Sequence, residues 1–268
     1  MASRRRLDVE LVRRGLARSR EHAAELVGAG RVRVAGSPAT KPATSVDPAA
    51  AILVTAAESG PDYVSRGGTK LAGALDTFHS GGLVVAGRRC LDAGASTGGF
   101  TDVLLRRGAS EVVAVDVGYG QLAWALRSDP RVTVLERTNV RDLKPESVGG
   151  RVDLVVGDLS FISLQVVLPA LAGVAAATAD LVLLVKPQFE VGKGRVGRGG
   201  VVREAALRRG AVLDVATGAA ALGLGTAGVV ASPLPGPSGN VEYFLWLRRG
   251  APPPDPHRVD RAVQEGPQ

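Results

Sequence analysis

Lysine can give up its proton inside a protein whereas arginine in practice cannot, so the rare lysines of an arginine-rich chain are the first places to look for chemistry. Of the 33 basic residues here 28 are arginine, and the five lysines are Lys41, Lys70, Lys144, Lys186 and Lys193. A G+C-rich genome accounts for the arginine excess but not for the lysines that persist against it. Lys186 closes the apolar run Leu181-Val-Leu-Leu-Val185, and Asp158 closes Val152-Asp-Leu-Val-Val-Gly157. Runs of this length read as buried strands, and a charge at the end of such a strand lies at the sheet edge where open α/β folds bind ligands. Glu242 stands at the opening of a further run, Val241-Glu-Tyr-Phe-Leu-Trp-Leu247. An amine and carboxylates at one sheet edge could orient a hydroxyl and move its proton.

A second constellation lies upstream. Arg88-Arg-Cys-Leu-Asp92 leads into Ala93-Gly94-Ala95-Ser96-Thr97-Gly98-Gly99-Phe100 and then into a helical pattern. A glycine-rich turn between a strand and a helix exposes backbone N–H groups at the same edge. The next strand, Glu111-Val-Val-Ala-Val115, ends in Asp116, 24 residues after Asp92 and suited to accept hydrogen bonds from ribose hydroxyls. Thr138-Asn139 follow the strand Val132–Leu135. A nucleoside cofactor fits this set better than a dinucleotide, whose G-x-G-x-x-G spacing is absent. Gly94-Ala-Ser-Thr-Gly98 also has the form of a hydrolase nucleophile elbow, whose order requires an acid and then a histidine downstream, but the only later histidine, His257, lies in the proline-rich tail beginning Ala251–Pro256 that reads as disordered. Cys90 reads as a small hydrophobe of the first strand.

Six or seven strands alternating with helices predict an α/β fold, a Rossmann-like doubly wound sheet flanked by helices, over residues 65–249. A helix over Arg66 to Phe78 precedes it, residues 61–64 read as a linker, and residues 250–268 as a disordered tail. Residues 1–60 predict a small α+β module. Leu7, Leu11, Val12 and Leu16 mark one helix, Ser19 caps a second with Ala23, Leu26 and Val27 inside, and Arg31–Val34 and Ile52–Thr55 are short strands around a turn at Ala35–Pro38. Residues 1–33 carry nine arginines against four acids. With a net charge of +7 and a pI near 10.1, that clustering favours a polyanionic partner. One cysteine excludes an internal disulfide, and the three scattered histidines make no metal cluster. No secretory signal precedes the charged start, so the cytoplasm is expected. The apolar stretches 166–185 and 212–231 read as core helices running into buried strands, because each is broken by an acid and by glycines.

Arg6-Leu-Asp8, Gly15, Ser19-Arg20, Ala23-Ala24, Leu26-Val27, Gly30-Arg-Val32 and Lys41-Pro42 together resemble the S4 RNA-binding fold, over roughly residues 5–60. Asp92–Phe100, Gly157-Asp-Leu-Ser-Phe-Ile162, Leu184-Val-Lys-Pro-Gln-Phe-Glu190 and Gly236-Pro-Ser-Gly-Asn-Val-Glu-Tyr-Phe244 resemble the hemolysin A (TlyA) family of FtsJ-like rRNA methyltransferases. That resemblance spans nearly the whole chain. It implies a Lys70, Asp158, Lys186 and Glu242 tetrad, with Lys186 the candidate base. It implies S-adenosylmethionine held by Asp92, Gly94, Ser96, Thr97, Gly98, Gly99, Phe100, Asp116, Asn139 and Asp158, and RNA held by Arg4, Arg6, Arg18, Arg20, Arg31 and Arg66. The implied reaction is 2′-O-methylation of cytidine in the large and also the small ribosomal subunit, linked to sensitivity to capreomycin-type antibiotics. The implied enzyme is a monomer acting on rRNA or ribosomal subunits, without metal or membrane. Two competing readings, a non-catalytic rRNA-binding protein and a membrane-active hemolysin, would require respectively a broken cofactor loop or tetrad and a lytic apolar segment. Phe161 could stack on a target base or simply pack. Gly192–Gly200 could close over RNA phosphates or be a surface connection.

Overall fold

The computed structural model describes residues 4–17, 19–55, 62–236 and 238–266. The chain divides into two compact units, residues 1–62 and 63–268, which puts the boundary inside the expected linker. In the first unit, helices α1 (Leu7–Arg13) and α2 (Arg20–Gly28) pack on small sheets built from β1 (Arg5–Arg6), β2 (Val32–Val34), β3 (Ser37–Pro38), β4 (Ser45–Val46) and β5 (Ile52–Val54). Strand β2 pairs with both β3 and β5, and β1 pairs with β4, all antiparallel. Leu7, Leu11, Ala23, Leu26, Val27 and Val32 form its core, as their spacing predicts. The Ser19 hydroxyl caps α2 by accepting from the His22 amide at 3.1 Å. Ser37-Pro38, expected as part of a turn, extend far enough to pair with β2.

The second unit is built on a seven-stranded sheet. Its strands are β6 (Arg89–Ala93), β7 (Glu111–Val115), β8 (Val132–Leu135), β9 (Val152–Gly157), β10 (Ala175–Val185), β11 (Leu224–Ala231) and β12 (Tyr243–Arg249), in the spatial order β11-β12-β10-β9-β6-β7-β8. Strand β12 runs antiparallel to both neighbours, while β10, β9, β6, β7 and β8 run parallel. Helices α3 (Arg66–His79), α4 (Gly99–Arg106) and α5 (Trp124–Arg127) contribute Leu71, Leu75, Phe78, Val103, Leu104 and Leu126 to the core on one face. Helices α6 (Leu164–Val174), α8 (Ala205–Ala221) and α9 (Pro256–Glu265) cover the other, and α7 (Pro187–Glu190) is a single turn after β10. Burial on both faces explains why the central strands are continuously apolar rather than alternating.

The long apolar stretches resolve as expected, into α6 followed by β10 and α8 followed by β11. Among the described residues no helix is long and apolar enough to cross a membrane. One expectation is corrected. Residues 256–265, read as part of a disordered tail, form α9, whose Val259, Ala262 and Val263 enter the core. Asp255 caps it by accepting from the His257 amide at 2.9 Å, and Pro256 occupies the first helical position, where its missing N–H costs nothing.

Candidate active site

The topology decides which side chains meet. Parallel strands β6, β9 and β10 all end at one edge, delivering Asp92, Asp158 and Lys186 there. Strand β12 runs the other way, so the residue before its start, Glu242, belongs to that edge too. The Lys186 ammonium lies 2.6 Å from Asp158 Oδ1, a charge contact not aligned as a hydrogen bond, and donates to Ser160 Oγ at 2.8 Å. The Lys70 ammonium, on the second turn of α3, donates to Glu242 Oε2 at 2.6 Å. Lys70 and Glu242 are 6% and 1% exposed, so their charges have little water to lean on and depend on each other. Glu242 Oε1 is buried with no hydrogen-bond partner among the described residues. The four expected tetrad residues therefore stand as two lysine–carboxylate pairs.

The Gly94–Phe100 segment shapes the adjoining space. Gly94 has a φ of +85°, and a Cβ there would meet the Asp158 carbonyl oxygen at 2.7 Å. Glycine thus lets the turn after β6 pack directly on the end of β9. At Gly98, with φ +99°, a side chain would collide with Leu126. A cleft lined by Ser65, Gly94, Thr97, Phe100, Ser160 and Lys186 joins the turn to the first lysine pair. A cavity of about 460 Å³ is lined by Ser96, Asp116, Asn139, Asp158 and Phe161, with apolar walls from Val140, Ile162 and Val167. Asp116 accepts from the Ser96 amide at 2.8 Å through one oxygen and from the Gly118 amide at 2.7 Å through the other. Each oxygen keeps a second lone pair for a ligand hydroxyl. Asn139 accepts from the Arg141 amide at 3.1 Å. Phe161 is 92% exposed, has a φ of +63°, and stands 5.3 Å from the ring of Phe189.

Asp92 lies elsewhere than expected. It is wholly buried, accepts the Thr101 hydroxyl at 2.6 Å through Oδ2, and leaves Oδ1 without a hydrogen-bond partner among the described residues. Burial pushes its pKa up to about 7, against the stabilising hydrogen bond from Thr101. Asp92 supports the glycine-rich turn from beneath rather than lining the cavity. Burial likewise pushes the Cys90 thiol up to about 12, so it stays a neutral packing group. Ser160 was not singled out in the sequence. Its only signal is its place two residues after Asp158, and its partner lies 26 residues away.

In the N-terminal unit, Arg6 and Arg20 both bind Asp8, and Arg4 is exposed. Arg18 lies outside the described residues. Arg31 donates Nε to the Thr55 carbonyl at 2.9 Å, its Nη1 lies 3.6 Å from Asp62, and 19% of its side chain is exposed. Arg66, in the second unit, is exposed and donates to the Pro235 carbonyl at 3.2 Å. The loop after Lys186 is tied down by Asn240, which is 3% exposed, accepts from the Val202 amide at 2.9 Å and donates to the Gly200 carbonyl at 2.8 Å.

The FtsJ-like methyltransferase family matches residues 63–249, and the S4 domain matches residues 5–52. A 16S/23S rRNA (cytidine-2′-O)-methyltransferase, TlyA of Mycobacterium tuberculosis, is 64% identical over 272 residues, covering 100% of both chains. Hemolysin A of Brachyspira hyodysenteriae is 37% identical over 240 residues, 89% of this chain and 98% of that one. A solved chain of Streptococcus thermophilus that carries the hemolysin name superposes with a TM-score of 0.78 at 38% identity, covering 99% of this chain and 96% of that one.

Proposed function

The chain belongs to the FtsJ-like methyltransferase family, and from that premise we propose that it methylates the ribose 2′-hydroxyl of cytidines in ribosomal RNA of the large and the small subunit. The observation that carries this reading is the meeting of Lys186, Asp158 and Ser160 in the cleft that also holds the glycine-rich turn.

S-adenosylmethionine, when bound, supplies a methyl group on a positively charged sulfur. The residues present fit it. The 460 Å³ cavity offers apolar walls for a base, Asp116 lone pairs for ribose hydroxyls, and the Gly94–Phe100 backbone at its mouth. Asp158 lines both this cavity and the cleft, so it faces cofactor and substrate at once.

A ribose hydroxyl is a poor nucleophile, and alignment does much of the work of activating it. In its neutral amine form Lys186 accepts the hydroxyl proton on its Nζ lone pair, and Asp158 stabilises the ammonium so formed. Ser160 holds Nζ by a hydrogen bond that serves either protonation state, because a hydroxyl both donates and accepts. Lys70 neutralises Glu242, and the unpartnered Glu242 Oε1 remains an acceptor for a substrate hydroxyl. The N-terminal unit supplies cations for RNA phosphates, and Phe161 offers an exposed ring against which a base can stack. In this reading the protein works as a cytoplasmic monomer and needs no metal.

The test is methyl transfer from labelled S-adenosylmethionine to unmodified rRNA and to isolated subunits, for the intact protein and for Lys186→Ala, with the product mapped to the ribose oxygen. Transfer that falls by about 10²–10⁴-fold in the variant is expected. RNA binding without transfer to any substrate would overturn the catalytic reading in favour of a non-catalytic rRNA-binding protein.

A further inference from the structure

The arginines of the N-terminal unit are arranged around two acids in a repeated way. Asp8 and Glu10, both on α1, have side chains 5% and 0% exposed. The arginines they hold are far more open: Arg5 48%, Arg6 51%, Arg13 50% and Arg20 57%. The acids are roofed by guanidinium groups rather than sunk in the apolar core.

The geometry repeats from one arginine to the next. Arg6 donates Nε to Asp8 Oδ1 at 3.0 Å and Nη2 to Oδ2 at 2.8 Å. Arg20 donates Nε and Nη2 to Asp8 Oδ2 at 3.2 and 3.0 Å. Arg13 donates Nε to Glu10 Oε2 at 2.8 Å and Nη2 to Oε1 at 2.6 Å. A guanidinium has two edges that can each grip an oxyanion, the Nε–Nη2 side and the Nη1–Nη2 end. In all three arginines the carboxylate takes the side edge. Among the described residues nothing takes the end edge, which is open to a second oxyanion. Arg14 is the contrast: it also binds Glu10, at 2.7 Å, but spends Nη1 and Nη2 on the Ala50 and Pro48 carbonyls at 2.8 and 2.7 Å and is only 22% exposed. It is a strut, while Arg6, Arg13 and Arg20 are presented.

We propose that Asp8 and Glu10 are positioning residues for RNA: Asp8 fixes Arg6 and Arg20, and Glu10 fixes Arg13, by the side edge, so that the end edge meets backbone phosphate already oriented. This rests on the RNA-binding reading of the first unit and adds a sign opposite to simple electrostatics. A carboxylate near phosphate repels it, so removing one should tighten binding if charge alone mattered. Arginine, however, has large side-chain freedom to lose on binding, and a guanidinium already held in place loses less. The Asp8 charge is already met by two guanidinium groups, so its repulsion of a phosphate is small beside its orientation of two arginines.

The experiment measures binding of the full chain to isolated unmethylated large ribosomal subunits across a salt series, comparing wild type, Asp8→Asn and Asp47→Asn. Asp47 is an exposed acid of the same unit whose side chain caps the Ala49 amide, a bond asparagine can keep, so both variants gain the same charge. Asp8→Asn is expected to bind about 3–10-fold more weakly, with a shallower salt dependence as about one phosphate contact is lost. Asp47→Asn is expected to bind as well as wild type or slightly better. Equal or tighter binding by Asp8→Asn would overturn the proposal while leaving RNA binding intact, and absence of binding by wild type would overturn both.

A measurement on the wild type covers the case in which Asp8→Asn does not fold. Nitrogen-15 spectra should show the Nε–H signals of Arg6, Arg13 and Arg20 protected in the free protein and unmoved by an rRNA hairpin, while their Nη1 signals shift. Rapidly exchanging Nε–H signals in the free protein would overturn the proposal.

Discussion

The carboxylates of α1 and those at the catalytic sheet edge are buried to opposite ends. In the N-terminal unit Asp8 and Glu10 lie under arginines that stay half exposed, and both pKa values are held low, Asp8 chiefly by its hydrogen bond from Arg6 and Glu10, to about 2, chiefly by that from Arg13. In the catalytic unit Glu242 faces a lysine that is itself buried, and Asp92 meets the hydroxyl of Thr101 and, among the described residues, no cation. Burial without a cation raises Asp92 toward neutrality, whereas a guanidinium roof holds Asp8 ionised. The first arrangement turns charge outward toward a large anion. The second keeps charge and proton affinity inside, where a proton has to be handled.

The sharpest way to break this contrast is to strip the inner pair of its cation. Lys70→Met leaves Glu242 as an uncompensated buried charge and is expected to destabilise the catalytic unit by about 3–5 kcal/mol. Methyl transfer should fall by about 10²-fold or more. Adding Glu242→Leu should recover most of the stability, because a well-packed apolar pair often replaces a buried ion pair at little cost, but none of the activity. Urea unfolding and single-turnover methylation of the single and double variants separate the two effects. Recovery of activity in the double variant would show that the pair is structural only.

What could be read from the sequence follows the same division. The sheet-edge charges were legible because each follows directly on a long apolar run, which places it at the strand's end, so Asp158 and Lys186 announce themselves. Glu242 was legible as a strand opening, but only the reversed direction of β12 explains why an opening residue joins residues at strand ends. Strands β1 and β4, two residues each, are too short to carry a pattern. Helix α9 was hidden by its own start signal, since Asp255-Pro256 after three prolines looks like tail composition, although Val259, Ala262 and Val263 carry helical spacing. Arg31 and Arg6 cannot be told apart by residue type. Whether an arginine is a strut or a presented cation depends on the carbonyls and acids the fold brings to it, Thr55 and Asp62 for the one and Asp8 for the other. Asp92 showed its type and its turn, but not its depth.

Asp92 supplies the next test. Its folded pKa, about 7, lies above the ordinary carboxylate value of 3.8, so between those values the folded state binds a proton that the unfolded state does not. Stability from this group is therefore fully present below about pH 4 and is lost as pH rises through 7. The loss is on the order of 2–4 kcal/mol. Asp92→Asn keeps an acceptor for Thr101 and removes the titration. Relative to wild type, the variant should gain stability steadily from pH 4 to 7.5 in urea melts. A difference independent of pH would mean that Asp92 does not change its protonation in that range.

Glu10 should show the reverse sign and the smallest effect. Its folded pKa is lowered from 4.5 to about 2, so its contribution is present above pH 4.5 and is lost as pH falls toward 2. Because Arg5 and Arg13 are about half exposed, solvent screens much of the attraction, and the contribution stays modest despite the short contacts. Glu10→Gln is expected to lower the thermal midpoint of the N-terminal unit by a few degrees at pH 7 and to make no difference near pH 2, read by melting followed through signals of that unit. Opposite pH slopes for Glu10→Gln and Asp92→Asn would sharpen the contrast between outward and inward charge. Parallel slopes would mean that roofing by arginine and burial in the core act on a carboxylate alike, and that the division of labour between the two units has some other origin.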